Sequence, residues 1–307
     1  MKDQTTLVTG GTGFVGSYLL PKLDRTILTT RNVERAKKKV GSDGDQFLQW
    51  AGDLSIDPTT KIDSVVNLMG ESIAEGRWTA AKKERIRTSR IDATRTLVDQ
   101  LLQLKELPKV MVSASAVGIY GDPGEVEVDE SHPTEDDFVG KVCLDWEQEA
   151  LRLADHGVRV VLLRIGIVIG RGGGAIDKML PVFKLGIGGC LGNGKQWVPW
   201  IHVEDLVGMI LWAIENESIS GPVNASAPNP VRNRDMTKAM AKAVNRFAIF
   251  PAPRFALRLA LGEFADRLLI SQKVIPAVAI ESGFTFQHST IESALDEVVS
   301  STEVVKT

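Results

Sequence analysis

Three glycines spaced three residues apart near the amino terminus constrain this chain more than any other feature. Gly10, Gly13 and Gly16 fall within Thr9-Gly10-Gly11-Thr12-Gly13-Phe14-Val15-Gly16. The apolar Leu7-Val8-Thr9 before them reads as a short buried strand, and 16–23 after them as a helix. Residues without Cβ at such a strand-to-helix turn let the backbone approach a diphosphate closely. The helix start then offers unpaired amides and a partial positive charge to the same group. A glycine triplet alone is a weak signal; the strand before it and the helix after it supply the context it needs.

That context continues along the chain. Short apolar runs at 26–30, 47–50, 64–69, 110–113 and 158–165 alternate with helical stretches at 78–104 and 138–156. Strands that are apolar on both sides and separated by helices belong to a parallel sheet covered on both faces. Beyond Arg164 the texture changes to a glycine-rich stretch at 170–194, a short helix at 176–185, a helical segment at 200–216, a strand at Pro222-Val223-Asn224 and helical stretches at 255–269. The expected class is α/β, a doubly wound parallel sheet with a small C-terminal α+β substrate lobe. Residues 1–165 plus 200–227 are assigned to the nucleotide-binding domain, and 166–199 plus 228–307 to the lobe.

Composition excludes several other classes. The 307 residues carry a net charge of −3 and no basic excess, which argues against nucleic acid as the main partner. No apolar run reaches transmembrane length and no signal peptide precedes the first strand, so no membrane role and a cytoplasmic location are expected. The two cysteines, Cys143 and Cys190, form no CxxC pair, and the four histidines show no metal-ligand spacing, so no metal is expected.

The end of the second strand bears on which dinucleotide is bound. An NAD-preferring site places a carboxylate there for the ribose 2′-hydroxyl. Here the chain reads Thr29-Thr30-Arg31-Asn32: the acid is absent and a guanidinium suited to a 2′-phosphate stands in its place, with Lys37 to Lys39 nearby. NADP(H) is therefore the expected cofactor. After the third strand, Asp53 and Leu54 are expected beside the adenine, with Asp53 accepting from its amino group; a helix N-cap is the alternative role for Asp53.

The glycine run, the strand end Asn67-Leu68-Met69-Gly70 and the segment Ser113-Ala-Ser-Ala-Val-Gly-Ile-Tyr120-Gly121 together resemble the extended short-chain dehydrogenase/reductases. The chain is most similar to an atypical subgroup described as nucleoside-diphosphate-sugar epimerase-like or cell-division-inhibitor-like. Residues 67–73, 76–78, 143–147, 171–175, 194–202 and 222–228 carry that similarity, which spans almost the whole chain. The resemblance implies a Rossmann domain with NADP across the carboxyl edge of its sheet. By position it implies that Gly10, Thr12, Gly13, Phe14, Val15 and Gly16 hold the diphosphate, and Thr30 and Arg31 the adenosine ribose phosphate. Leu68, Met69 and Gly70 line the ribose side, and Arg85 and Arg90 face the cofactor cleft. Ser113 and Arg164 stand at the carboxyl edge.

The family's chemistry uses a serine together with a tyrosine four residues before a lysine. Ser115 is the candidate serine, with Ser113 close behind, both at the carboxyl end of the fifth strand. The tyrosine–lysine pair is missing: the positions fall at Val139 and Cys143, and the chain has only Tyr18 and Tyr120. Tyr120, Lys141, Asp145 and His202 are the remaining ionisable candidates for acid–base work, His202 reading better as a structural histidine. Trp197 and Trp200 are candidate pocket walls, and Asn193, Lys195 and Gln196 candidate polar contacts.

Two functions stay open: an NADP(H)-dependent oxidoreductase of unusual mechanism acting on a small carbonyl or nucleotide-linked sugar, or a non-catalytic NADPH-binding sensor working through a protein partner. A standard sugar epimerase would need the missing pair. The expected assembly is a monomer or homodimer.

Overall fold

Seven parallel strands form one sheet: β1 (Thr5–Thr9), β2 (Arg25–Thr30), β3 (Gln46–Gln49), β4 (Ser64–Asn67), β5 (Val110–Ala116), β6 (Arg159–Ile165) and β7 (Gly221–Ala225). Their order is β3-β2-β1-β4-β5-β6-β7, so the direction of winding reverses between β1 and β4. A crevice opens there at the carboxyl ends of the strands, because successive crossovers leave on opposite faces. The computed structural model describes residues 4–41, 46–50 and 54–300.

Alternation along each strand builds two cores. Leu7, Val65, Met111 and Leu162 face one side and pack on Leu97 and Leu101 of helix α4 (Ile91–Leu101). Val8, Val66, Val112 and Leu163 face the other and pack on Leu19 of α1 (Phe14–Leu19) and on Leu206 and Ile210 of α7 (Val203–Glu215). Pairing is in register, with Leu7 opposite both Ile27 and Val65, so a one-residue slip would turn every core side chain to the wrong face. Leu7 is fully buried, and truncating such a side chain to alanine costs roughly 2–5 kcal/mol.

The remaining labelled helices are α2 (Val33–Val40), α3 (Ala80–Thr88), α5 (Phe138–Leu151), α6 (Gly174–Lys184) and α8 (Asn233–Ala243). A third apolar cluster joins Ile176 and Phe183 of α6, Met236 and Met240 of α8, Trp200, and Ile291 and Leu295 of the C-terminal helix Ile291–Ser300. Among the described residues, no helix is long and apolar enough to cross a membrane.

Local structure departs from the sequence reading in three places. The helical stretch expected at 78–104 is two helices broken at Ser89. There the hydroxyl donates to Ile86 O at 3.2 Å and accepts the Glu71 amide at 2.9 Å, a local alternative to continuing the helix. Residues Trp200–His202 form a short strand parallel to Ile167–Ile169 before α7 begins. The stretch at 255–269 is interrupted at Gly262, whose φ of +63° no ordinary helix tolerates.

Candidate functional site

The glycine turn is tight because its neighbours leave no room for side chains. Gly10 has φ +69°, and a Cβ on it would lie 2.5 Å from Leu68 O. Gly16 lies against the backbone of Gly11, which likewise leaves no room for a Cβ. The Gly13 amide donates to Gly10 O at 2.9 Å and closes the turn, and Gly13 itself is exposed. Thr12 O accepts from Lys39 Nζ at 2.6 Å, which brings a cation from α2 to the turn. Val15 packs against the core, and the Phe14 ring fits beneath Gly173 and Gly174.

At the end of β2, Thr30 Oγ1 is 3.3 Å from the backbone amide and carbonyl of Asn32, and Asn32 Oδ1 caps α2 by accepting from the Arg35 amide at 2.9 Å. Arg31 is exposed and has no ion pair among the described residues. Asp53 lies outside the described residues. The Leu54 side chain is buried in the cluster with Leu97 and Leu101, so it serves the core.

A cavity of about 290 Å³ opens at the carboxyl ends of β4, β5 and β6. Leu68, Met69 and Gly70 form one wall, Ala114, Ser115 and Ala116 its base, and Ile165 and Gly166 the side toward β6. Trp78 and Ile86 close it from the α3 side, and Phe138, Val139, Val142, Cys143 and Trp146 from α5. The interior is mostly apolar. Its one cation among the described residues is Arg90, whose guanidinium stacks 5.3 Å over Trp146 and passes within 2.9 Å of where a Cβ on Gly70 would be. Arg90 bonds Ile86 O at 3.2 Å and has no carboxylate partner among the described residues, and burial lowers its pKa. Arg85 takes a different course, pairing with Glu71 at 3.2 Å on the exposed face of α3.

Beneath Ser115 runs a buried polar chain. Ser115 Oγ donates to Glu147 Oε1 at 2.6 Å. Arg164 donates from Nε to that oxygen and from Nη2 to Oε2, both at 3.0 Å. Its Nη1 donates to the Tyr120 hydroxyl at 2.9 Å, which in turn donates to Asn224 Oδ1 at 2.7 Å. Burial works to lower the Arg164 pKa, but Glu147 overrides it and raises it. Tyr120 is pushed up to about 12 by burial, and so is the Cys143 thiol, with the Glu147 charge adding to the effect there.

Several expected residues do other work. Ser113 Oγ accepts from Asn67 Nδ2 at 3.1 Å and tethers the strand ends, and Arg164 reaches the cavity only through Glu147 and Ser115. Lys141 pairs with Asp136 at 2.8 Å on the outer face of α5, and Asp145 is exposed there as well. Trp200 is buried in the third cluster, Trp197 lies under Arg232 at 4.3 Å, and Gln196 donates to Leu191 O at 3.1 Å. Asn193 Oδ1 accepts the Lys195 amide at 2.9 Å, a turn contact. Sequence reasoning missed the roles of Trp78, Phe138 and Glu147. The spacing of Val139, Cys143 and Trp146 on one helix face was the available signal.

A glycine turn under a doubly wound parallel sheet, with a cavity at the carboxyl ends of its central strands, defines a Rossmann-class nucleotide-binding protein. The chain belongs to the NAD dependent epimerase/dehydratase family, whose profile matches residues 6–225; residues 252–298 match a domain of unknown function, DUF1731. It is 38% identical over 305 residues to the epimerase family protein YfhF of Bacillus subtilis, covering 97% of this chain and 99% of that protein. It is 38% identical over 309 residues to the chloroplastic SDR39U1 homolog of Arabidopsis thaliana, covering 97% and 87%. The crystal structure of human epimerase family protein SDR39U1 (isoform 2) with NADPH aligns with a TM-score of 0.87 at 32% identity, covering 97% and 99% of the two chains. UDP-glucose 4-epimerase of Thermotoga maritima shares the fold, with a TM-score of 0.77 at 16% identity over 99% and 100%. The family resemblance and fold class read from the motifs are thereby confirmed.

Proposed function

We propose that this chain is an NADP(H)-dependent oxidoreductase of the extended short-chain type, in which Ser115 and Glu147 take over the proton handling of the missing tyrosine and lysine. In this reading the diphosphate lies on the Gly10–Gly13 turn, Arg31 takes the 2′-phosphate and Arg90 faces the nicotinamide half. The NADPH in the human relative supports the choice of cofactor. The carrying observation is the cavity itself: Ser115 lies at its base with Glu147 hydrogen-bonded behind it, and Val139 and Cys143 line it at the positions of the missing pair.

Bound nicotinamide would supply hydride exchange, and the protein's residues handle the proton. In the oxidative direction an alcohol proton passes to Ser115 Oγ as the serine's own proton passes to Glu147 Oε1; reduction of a carbonyl reverses both transfers. The apolar walls favour a small carbonyl compound over a highly polar sugar. The test is NADPH oxidation across a panel of small aldehydes and ketones by wild type and Ser115→Ala. Turnover lost in the variant while NADPH binding persists supports the reading.

The second reading is a non-catalytic NADPH sensor, favoured by one observation: Val139 and the buried Cys143 stand where the missing tyrosine and lysine would be. Tight NADPH binding with no hydride transfer to any panel member, and a protein contact that depends on the cofactor, would decide for it.

A further inference from the structure

Two histidines and two carboxylates meet outside the cavity, at the junction of α7 with the C-terminal segment. His202 is buried at the N-terminus of α7 and Glu204 lies in that helix's first turn. His288 comes from the segment preceding the C-terminal helix, and Glu297 from the helix itself. His202 Nε2 lies 3.2 Å from Glu297 Oε2 and His288 Nε2 3.4 Å from Glu204 Oε2, with the two imidazole centroids 3.9 Å apart. Donor atoms of His202, Glu204 and His288 all lie within 4.8 Å of one another.

Imidazole nitrogen and carboxylate oxygen bind zinc at about 2.0–2.2 Å, and a tetrahedron of that size has edges of about 3.3 Å. The 3.2 and 3.4 Å separations bracket that edge. The supporting contacts orient the donors. Ser293 Oγ lies 3.0 Å from His288 Nδ1, where it can accept that nitrogen's proton when Nε2 ligates an ion. Asp205 accepts the amides of Gln287 and His288 at 2.7 and 3.0 Å, which fixes the segment carrying that ring. On the other ring, ligation through Nε2 puts the proton on His202 Nδ1 and gives up its 3.3 Å contact with the Glu204 amide, a long hydrogen bond. Glu204 and Glu297 are part-exposed, so an ion has a path in.

We propose that His202, Glu204 and His288 form a binding site for a divalent ion of the zinc class, with Glu297 beside His202 as the fourth donor drawn in when the ion binds, which staples the C-terminal segment onto the start of α7. None of the four lines the cavity, so the ion is structural and separate from the hydride chemistry. Imidazole nitrogens together with carboxylate oxygens select zinc or cobalt over magnesium or calcium.

The experiment titrates chelator-treated full-length protein with zinc chloride by calorimetry and with cobalt chloride by visible absorption. The expected result is one ion per chain, an intense four-coordinate cobalt spectrum and a zinc-dependent rise in melting temperature. His288→Ala should weaken zinc by at least about 100-fold, more than loss of an outer contact costs. Glu204→Gln, a part-exposed change that spares the fold, should weaken it by at least about 10-fold. Both variants should keep wild-type NADPH affinity. Absence of a one-to-one ion, a weak six-coordinate cobalt spectrum, or zinc affinity unchanged in Glu204→Gln would each overturn the proposal.

Discussion

Ser115 and Glu147 share a 2.6 Å hydrogen bond at the floor of the cavity, and Arg164 grips the same carboxylate with two donors. The serine is thus the end of a buried ionic chain that lines the cavity. Glu147→Gln removes the counter-charge from a guanidinium that is 6% exposed. Breaking a buried pair from one side costs about 3–5 kcal/mol, and urea unfolding should show a loss of that size. A loss below about 1 kcal/mol would mean that water already reaches Arg164.

Ser115→Ala should fold normally, because the alanine methyl fits the same space, although Glu147 loses one donor. The expected stability change is about 1–2 kcal/mol. Turnover, where a substrate is found, should fall by roughly 100-fold or more. Retention of full activity in this variant would remove the serine from the mechanism.

Gly10 and Gly13 should respond differently. Gly10→Ala places a methyl at φ +69° and 2.5 Å from Leu68 O, so it should destabilise the fold itself. Gly13 is exposed, and a Cβ there meets only Gly10 O at 3.0 Å. Gly13→Val should therefore leave a folded protein, by circular dichroism, that no longer binds NADPH. Unchanged NADPH affinity in that variant would sink the placement of the diphosphate.

Arg31→Ala should weaken NADPH by about 10–100-fold, the loss of one or two charge-assisted hydrogen bonds, and leave NADH unchanged. Calorimetry with both cofactors checks it. Equal wild-type affinity for NADPH and NADH would show that Arg31 does not read the 2′-phosphate.

The pH dependence follows from Cys143 and Tyr120, whose folded pKa values are raised from 9.0 and 10.0 to about 12. Both stay protonated in the folded chain after the unfolded chain has begun to lose those protons. Their contribution is complete below about pH 9 and is lost as pH rises toward 12, so melting temperature should fall across that alkaline window. At pH 8 iodoacetamide should label the half-buried Cys190 well before Cys143. Rapid labelling of Cys143 in folded protein would contradict the burial described.

Much of the architecture was legible because it repeats. Strand patterns such as Leu7-Val8 and Val65-Val66 announce a sheet covered on both faces, and the glycine spacing locates its turn. Helix ends were less legible where a side chain competes with the backbone, as Ser89 does when it splits one expected helix into α3 and α4. The site was legible only in part. Gly70 follows a strand and Ser115 lies at the end of one, so both could be placed by position. Glu147 was hidden because its role depends on Arg164, which is 17 residues away in sequence. Leu54 was misleading for a similar reason: its place beside a strand end does not disclose which way its side chain turns, and it turns into the core. The meeting of His202 with His288 joins residues far apart in the chain, beyond the reach of spacing rules.

One feature of the sheet limits how this chain could be taken apart. β6 ends at Ile165, and β7 returns at Gly221 to pair with it in register from Val161–Gly221 to Ile165–Ala225. The 55 residues between them form a closed excursion, sewn to the sheet at both its ends. A protease that nicks 170–194 would leave both fragments fastened by the same hydrogen-bonded seam. Shedding the excursion would need two cuts and would strip α7 from one face of the sheet, so it is poorly suited to exchange as a detachable cassette.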